Sequence, residues 1–534
     1  MRPRSVPLQC RQDEDLQVDQ RDGNSEAREI ELKLIAGSIW TKGDLLALQL
    51  AAGRPLSPLA TAYLLARDDE ENDSENPRNW SRARKWSATI VVSLQVFLAT
   101  FGVAHLAPAL GYISKDLGIH SGIQRGAIIA VYIASFSIAH LIHSPISEAW
   151  GRRPVLVGGL VIYLLFNSLC AIATNTRTLL AFRFFSGVGA CAPLGTGGAV
   201  LIDLWHPDDR ALALSIFSIA PQLGPLVGPI MGGYMTQQLG DSWRLGLGLT
   251  SAAIAIALGA TVLLVPETLA ARIPHLRARE LRAEQGVKAL CAAYEQTERS
   301  AAPFAAEVVL RPIILLSCEP AIQLAATHLG VCFSVFYLMA TTFPAVYGTC
   351  YGEKPGIASL HYIAIFVGTM IGAALSSRSL HLNRGCAPES KFRPLMWFGC
   401  FPTCGMLVYG WSTCNGLHWL LADLGVTVFA CGLAVSVVIV QSYLAECYSL
   451  LAASALSASV LTRSLLGFAA PLLGETLYHH LGLGWGNTLL AVFAGLVGIP
   501  LPFIMLRHGQ AFRLASRYAT KSSDIESDPC AQSS

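Results

Sequence analysis

The chain has 534 residues, 53% of them hydrophobic and 14% charged, and its mean hydropathy is +0.47. Soluble domains carry roughly 25% charged residues, so this composition excludes an ordinary water-soluble globule and points to lipid. With 38 Lys+Arg against 36 Asp+Glu, a formal net charge of +2 excludes a strongly basic nucleic-acid binder.

Residues 1–35 are polar and charged, with no apolar core behind a basic start, so the first spanning helix is expected to target the chain. Residues 1–86 read as a largely disordered cytosolic tail. Within it, segment 44–65 is moderately apolar, but Arg54 and two prolines interrupt it, and it reads as tail or interfacial segment. A bilayer core needs about 20 apolar residues per helix. Twelve runs qualify: 87–110, 126–146, 154–173, 178–202, 211–235, 245–265, 320–347, 356–377, 394–412, 417–445, 452–478 and 485–506. The expected fold is an all-α polytopic membrane protein. Its N-terminal six-helix bundle covers 87–265, a charged cytosolic loop 266–319, its C-terminal six-helix bundle 320–506 and a cytosolic tail 507–534.

An even number of spans puts both termini on one side. Loops on that side carry about fourteen basic residues, among them Arg152, Arg153 and Arg210, against five on the other: Lys115, Arg125, Arg177, Arg244 and Lys354. Positive charge is retained inside, so both termini are expected in the cytosol. The fourteen cysteines are mostly single residues in apolar runs, without CxxC or zinc spacing, and Cys400 and Cys404, one turn apart, read as packing. No metal or cofactor is expected. HExxH, GxSxG and GxxxxGK[ST] are all missing, which argues against an enzyme and against direct use of ATP.

Four stretches carry chemistry. In "SPISEAWGRRP" (144–154), a very short loop holds Glu148, Arg152 and Arg153 near two helix ends, where charge-assisted hydrogen bonds can latch one face. In the fourth span, Arg183 opens "RFFSGVGACAPLG", and an arginine at that depth is costly enough to be functional by default. In the fifth, "PQLGPLVGPIMGGY" (221–234) is half Gly and Pro. Gly224, Gly228 and Gly232 recur every four residues and line one helix face, while Pro225 and Pro229 bend it. In the eleventh, Arg463 is a second buried base. Candidate proton carriers are His105, His140, His143, Asp203, His328, His361 and Glu446.

"GPLVGPIMGG" resembles the antiporter signature of major facilitator superfamily exporters, matching at Gly224, Gly228, Pro229, Gly232 and Gly233, with Ser215 where the family has an earlier glycine. The resemblance associates this face with export and with sealing the two halves against each other. The 144–154 loop resembles the family's 2–3 loop motif, with Glu148 at its acidic position and Gly151, Arg152 and Arg153 at G-R-R. Ser144 and Ala149 depart from it. Arg183, followed by Gly187 and Gly189, matches a fourth-helix motif linked to proton coupling, to which Asp203 and Arg463 are added here. With "NPRNWSRARKW", "YGEKPGIASLHYI", "FRPLMWFGCFPTCGMLVYGW" and "GWGNTLL", residues 75–512 are similar to fungal drug:proton antiporters of the twelve-spanner class.

The resemblance implies a monomeric exporter of the fungal plasma membrane that exchanges protons for a small amphipathic compound: a drug, toxin or secondary metabolite. His105, His140, Gln222, Gln323, His328, Phe336 and Tyr337 are the cavity candidates. A polyamine carrier should place carboxylates in the cavity, whereas Glu319, Asp423, Glu446 and Glu475 fall near span ends. The sequence is also compatible with proton-coupled nutrient uptake and with a non-transporting membrane receptor.

Overall fold

A chain placed in hydrocarbon must satisfy its peptide groups internally, and a helix does so within one segment. In the computed structural model, every regular element among the described residues is helical. The description covers residues 76–239, 243–269, 301–382 and 387–519. The expected tail before residue 76, segment 44–65, residues 270–300 of the central loop and residues 520–534 lie outside the described residues.

Ten helices among the described residues are long and apolar enough to cross a membrane. The first six are Arg82–Asp116, Gly122–Glu148, Arg152–Ala171, Thr176–Leu204, Leu212–Gln238 and Trp243–Leu264. The second bundle contributes Pro320–Tyr351, Pro355–Leu382, Trp419–Cys447 and the run Ala452–Ala515. That run makes two traverses. It reverses at Gly482, whose φ of +69° suits glycine, and the Tyr478 hydroxyl then donates to Asn487 Oδ1 at 2.8 Å. The ninth traverse is shorter, Leu395–Phe398 followed by Phe401–Cys414. Twelve traverses in two six-helix bundles result.

Contacts between connections define the two faces. Arg82 pairs with Asp209, the Arg152 amide with Glu267, and Arg513 with Glu389, and Ser516 donates to Glu319. These contacts gather the described ends of the chain and the even-numbered turns on one side, the terminal side. Asp116 pairs with Arg244, Arg125 with Glu475, and Gln237 with Gly356 on the far side. Each bundle has its own buried cluster: Tyr132, Ile133, Leu160 and Trp243 in the first, Phe343, Tyr347, Phe429 and Tyr409 in the second. Tyr337 of the seventh helix packs against both.

The fifth helix, Pro207–Leu239, runs unbroken through Pro221, Pro225 and Pro229. Its glycine face exists, but its main partner differs from the one the resemblance implied. A Cβ at Gly224 would lie 2.6 Å from the Phe101 nitrogen, one at Gly228 would lie 3.2 Å from the His105 nitrogen, and one at Gly232 would collide with the His105 carbonyl. This stripe therefore seals the fifth helix against the first, inside one bundle. Gly233 alone of the four glycines turns to the other half, where a Cβ would stand 2.6 Å from the Pro355 carbonyl. The reason is angular: residues four apart share a face, whereas the next residue is rotated by about 100°.

Because backbone cannot yield as a side chain can, Gly224→Val should destabilise the protein by about 1–3 kcal/mol, the usual cost of overpacking. Its melting temperature in detergent should fall well below that of Gly224→Ala. Equal melting for wild type and both variants would refute the close packing.

Candidate functional site

The fourth helix buries Arg183 completely. Its Nη2 donates to the Gly102 carbonyl of the first helix at 2.9 Å and its Nε to the Ile128 carbonyl of the second at 3.2 Å. The guanidinium lies 4.3 Å from the Tyr132 ring centre, and Nη1 finds no protein partner. Carbonyl dipoles and an aromatic face thus compensate the charge, and no described carboxylate forms an ion pair with it. Asp203, grouped with Arg183 from sequence, belongs elsewhere. Twenty residues further along, at 1.5 Å per residue, it emerges about 30 Å away on the terminal side.

There Asp203 Oδ2 accepts from Arg152 Nε at 3.2 Å. Arg152 Nη1 donates to Ser147 Oγ at 2.8 Å, and the Arg152 amide donates to Glu267 Oε1 at 2.8 Å, just beyond the sixth helix. Arg153 Nη2 reaches the Val262 carbonyl at 2.7 Å. Gly151 makes the intervening turn with φ +98°. The loop therefore ties the second, third, fourth and sixth helices together. Glu148, expected to share this latch, is exposed, and the acid on Arg152 is Asp203. The second bundle repeats the device with other residues: Lys391, after the eighth helix, pairs with Glu446 at the end of the tenth, and Glu389 Oε1 accepts from Arg513 Nε at 2.8 Å. Glu446, a candidate proton carrier from sequence, is thus one half of a terminal-side ion pair.

On the far side the two halves meet along two seams. In the first, the second helix approaches the eleventh: a Cβ at Gly126 would lie 2.8 Å from the Pro471 carbonyl carbon, and Arg125 Nη1 donates to Glu475 Oε1 at 2.8 Å. In the second, Gly356 donates its amide to Gln237 Oε1 of the fifth helix at 3.0 Å. Between the halves lies a cavity of about 770 Å³, lined by Tyr112, Arg125, Thr342, Glu353, Glu475 and Tyr478 among others. Its volume suits a small organic molecule. A smaller crevice of about 130 Å³ on the terminal side is lined by His140, Glu148 and Arg311.

The family model for the Major Facilitator Superfamily matches residues 92–471. The chain belongs to this superfamily. The MFS-type transporter oryF of Aspergillus oryzae is 32% identical over 470 residues, which cover 85% of this chain and 97% of that one. The efflux pump vrtL of Penicillium aethiopicum is 34% identical, covering 85% and 91%, and the efflux pump radE of Floropilus chiversii 31%, covering 85% of each. Among solved structures, the fold matches the proton:xylose symporter XylE with a TM-score of 0.58 at 15% identity, covering 80% of this chain and 96% of that one. A bacterial homologue of the lysosomal transporter Spinster matches with a TM-score of 0.59 at 14% identity, covering 81% and 99%. The chain is thus an integral membrane transporter.

This major facilitator scatters the cavity candidates read from sequence. None of His105, His140, Gln222, Gln323, His328, Phe336 and Tyr337 lines the large cavity. His105 is buried against Phe101 within the first bundle, stacked at 5.2 Å. His328 is core, with Nε2 2.9 Å from Ser436 Oγ, and Phe336 is buried in the second bundle. Gln323 is exposed at the terminal end and donates to the Ser317 carbonyl at 3.0 Å. Gln222 is half-buried on the fifth helix. Tyr337 and His140 do reach the interface: Tyr337 packs against the buried clusters of both bundles, and His140 lines the terminal-side crevice with Leu451 and Ser457. Arg463 itself is half-buried, 4.5 Å from the Phe333 ring centre, with no described carboxylate as ion-pair partner. Arg125 and Glu475, which do line the cavity, read from sequence only as charges near span ends.

If Asp203 rather than Glu148 balances Arg152, a double-mutant cycle decides it. Arg152→Ala with Asp203→Ala should show a coupling of about 1 kcal/mol or more, the scale of contacting charged groups, while Arg152→Ala with Glu148→Ala should be additive within about 0.5 kcal/mol. Unfolding of the purified transporter in detergent supplies both values.

Proposed function

We propose that this transporter exports a small amphipathic organic compound from the cytosol by exchange for protons. The two bundles would rock about the cavity between them so that access alternates. The observation that carries the reading is the cavity of about 770 Å³ walled by both halves, with tyrosine, threonine and charged side chains around apolar backbone turns. Its lining sets Glu353 and Glu475 against Lys115 and Arg125. That balance disfavours a polycation, which a polyamine carrier would have to hold.

The direction is supported by the efflux pumps among the similar fungal proteins and by the glycine pattern of the fifth helix. The basic residues of the terminal side support cytosolic termini, and the resemblance to fungal exporters supports a plasma-membrane location. Arg183, held by carbonyls of the first and second helices, would set the field in which a proton is taken up and lost. Arg463 lies outside that cavity, over the Phe333 ring, with no described carboxylate as ion-pair partner, and a polar or acidic group on a compound moving inward from the cavity would complete its hydrogen bonding. Gly151, Arg152 and Arg153, with Asp203 as the acid on Arg152, would hold the terminal side in one state and let it go in the other.

The full chain in sealed liposomes, with a pH dye in the lumen, tests this against a panel of neutral and weakly acidic amphipathic compounds. A transported compound should accumulate on the acidic side and dissipate the imposed gradient as it does so. Arg463→Ala should lower that flux at least about tenfold, the scale of one lost charge-assisted hydrogen bond, with Arg463→Lys in between. Compound movement without proton movement would reject antiport, and no movement across the panel would reject the transport reading.

A further inference from the structure

The seventh helix ends at Tyr351. The chain turns at Gly352, with φ +69°, and returns through Glu353, the short helix Pro355–Ala358 and the 3-10 turn Ser359–His361. This return places His361 between two carboxylates. Its Nδ1 is 2.8 Å from Asp423 Oδ2 of the tenth helix, and its Nε2 is 2.9 Å from Glu353 Oε2. The ring stacks on Tyr347 with centres 3.8 Å apart, and Trp419 meets it edge-on at 5.5 Å. The Tyr347 hydroxyl donates to Asp423 Oδ1 at 2.6 Å. Tyr351, whose ring lies 5.5 Å from that of Tyr347, is a further titratable group on this side, and Lys115, Arg125, Glu475 and His479 share the cavity that Glu353 lines. The His361 side chain is 8% exposed, so water does little to screen the cluster.

A neutral imidazole has one N–H and one lone pair. Set between two carboxylates, it would satisfy one and repel the other. Both contacts become donor-to-acceptor bonds only if the cluster holds one more proton, either on the ring or shared with a carboxyl. Glu353 lines the large far-side cavity and gives that proton a route. The same short return carries the second seam between the halves: the Gly356 amide on Gln237, and Pro355 and Ser359 against Gly233.

We propose that Glu353, His361 and Asp423 form a proton-binding site filled from the far-side cavity, whose occupancy pins the 353–361 return against the fifth helix and keeps the far side shut. Loss of the proton leaves Glu353 facing a lone pair, and its end of the return lets go. The site reads the acidity of the far compartment and does not require the proton to be the coupling ion, so it stands or falls separately from antiport.

The test uses the full chain in lipid nanodiscs, with spin labels on ketone-bearing residues introduced at Gln238 and Ile363, both exposed, so that the native cysteines stay untouched. Distances between the fifth and eighth helices are then measured by pulsed electron resonance from pH 5 to pH 9. The wild type should show a short distance in acid that gives way to a longer one along a one-proton curve. His361→Gln should abolish the pH dependence. Glu353→Gln should lower the midpoint by about one pH unit or more, because a carboxylate that favoured the charged ring is gone. Wild-type distances that ignore pH, or a dependence that survives His361→Gln with its midpoint unchanged, would overturn the proposal. Should His361→Gln fail to fold, an unmoved midpoint in Glu353→Gln overturns it alone.

Discussion

Two helices can come within backbone contact only where one of them gives up its side chains, and this constraint governs the molecule. On the far side the bundles approach at Gly126 against Pro471 and at Gly233 against Pro355 and Ser359. Lipid provides little drive for apolar side chains to associate, so such small-residue contacts, with hydrogen bonds beside them, supply the attraction. Each seam has one polar tie next to it: Arg125 to Glu475, and Gly356 to Gln237. A seam of this kind is held by close backbone contact and a single polar tie, and opening it breaks one hydrogen-bonded pair.

Charge is distributed accordingly. Arg183 donates from Nε and Nη2 to carbonyls of the second and first helices and so cross-links the first bundle, with Nη1 left without a protein partner. Away from the middle of the spans, ion pairs gather at both faces. On the terminal side they lie inside each bundle, Arg152 with Asp203 in one and Lys391 with Glu446 in the other. Each bundle is thereby stiffened as a body. On the far side Arg125 and Glu475 join one bundle to the other. Stiff bodies with a breakable tie are what a rocking motion needs.

The fold class was legible because apolar length is a property of single segments: a run of about 20 apolar residues predicts a helix whatever it later touches. The glycine stripe of the fifth helix was legible for a similar reason, since spacing alone puts Gly224, Gly228 and Gly232 on one face. Its partner was not legible. Nothing in the stripe says whether the helix across from it is the first, in the same bundle, or one from the other half. Asp203 shows the same limit. It reads as a charge at the end of the fourth span, and nothing in that stretch names Arg152 of the neighbouring loop as its partner.

By itself the sequence determined an integral membrane protein of helices in two bundles, the burial of Arg183 and the small-residue face of the fifth helix, all properties of one stretch of chain. The tertiary structure alone decided which charges pair, where the cavity opens and which residues line it. Arg125 and Glu475 lie 350 positions apart and Gln237 and Gly356 lie 119 apart. Such pairings depend on the rotation of each helix about its own axis, which packing against its neighbours sets and hydropathy does not encode.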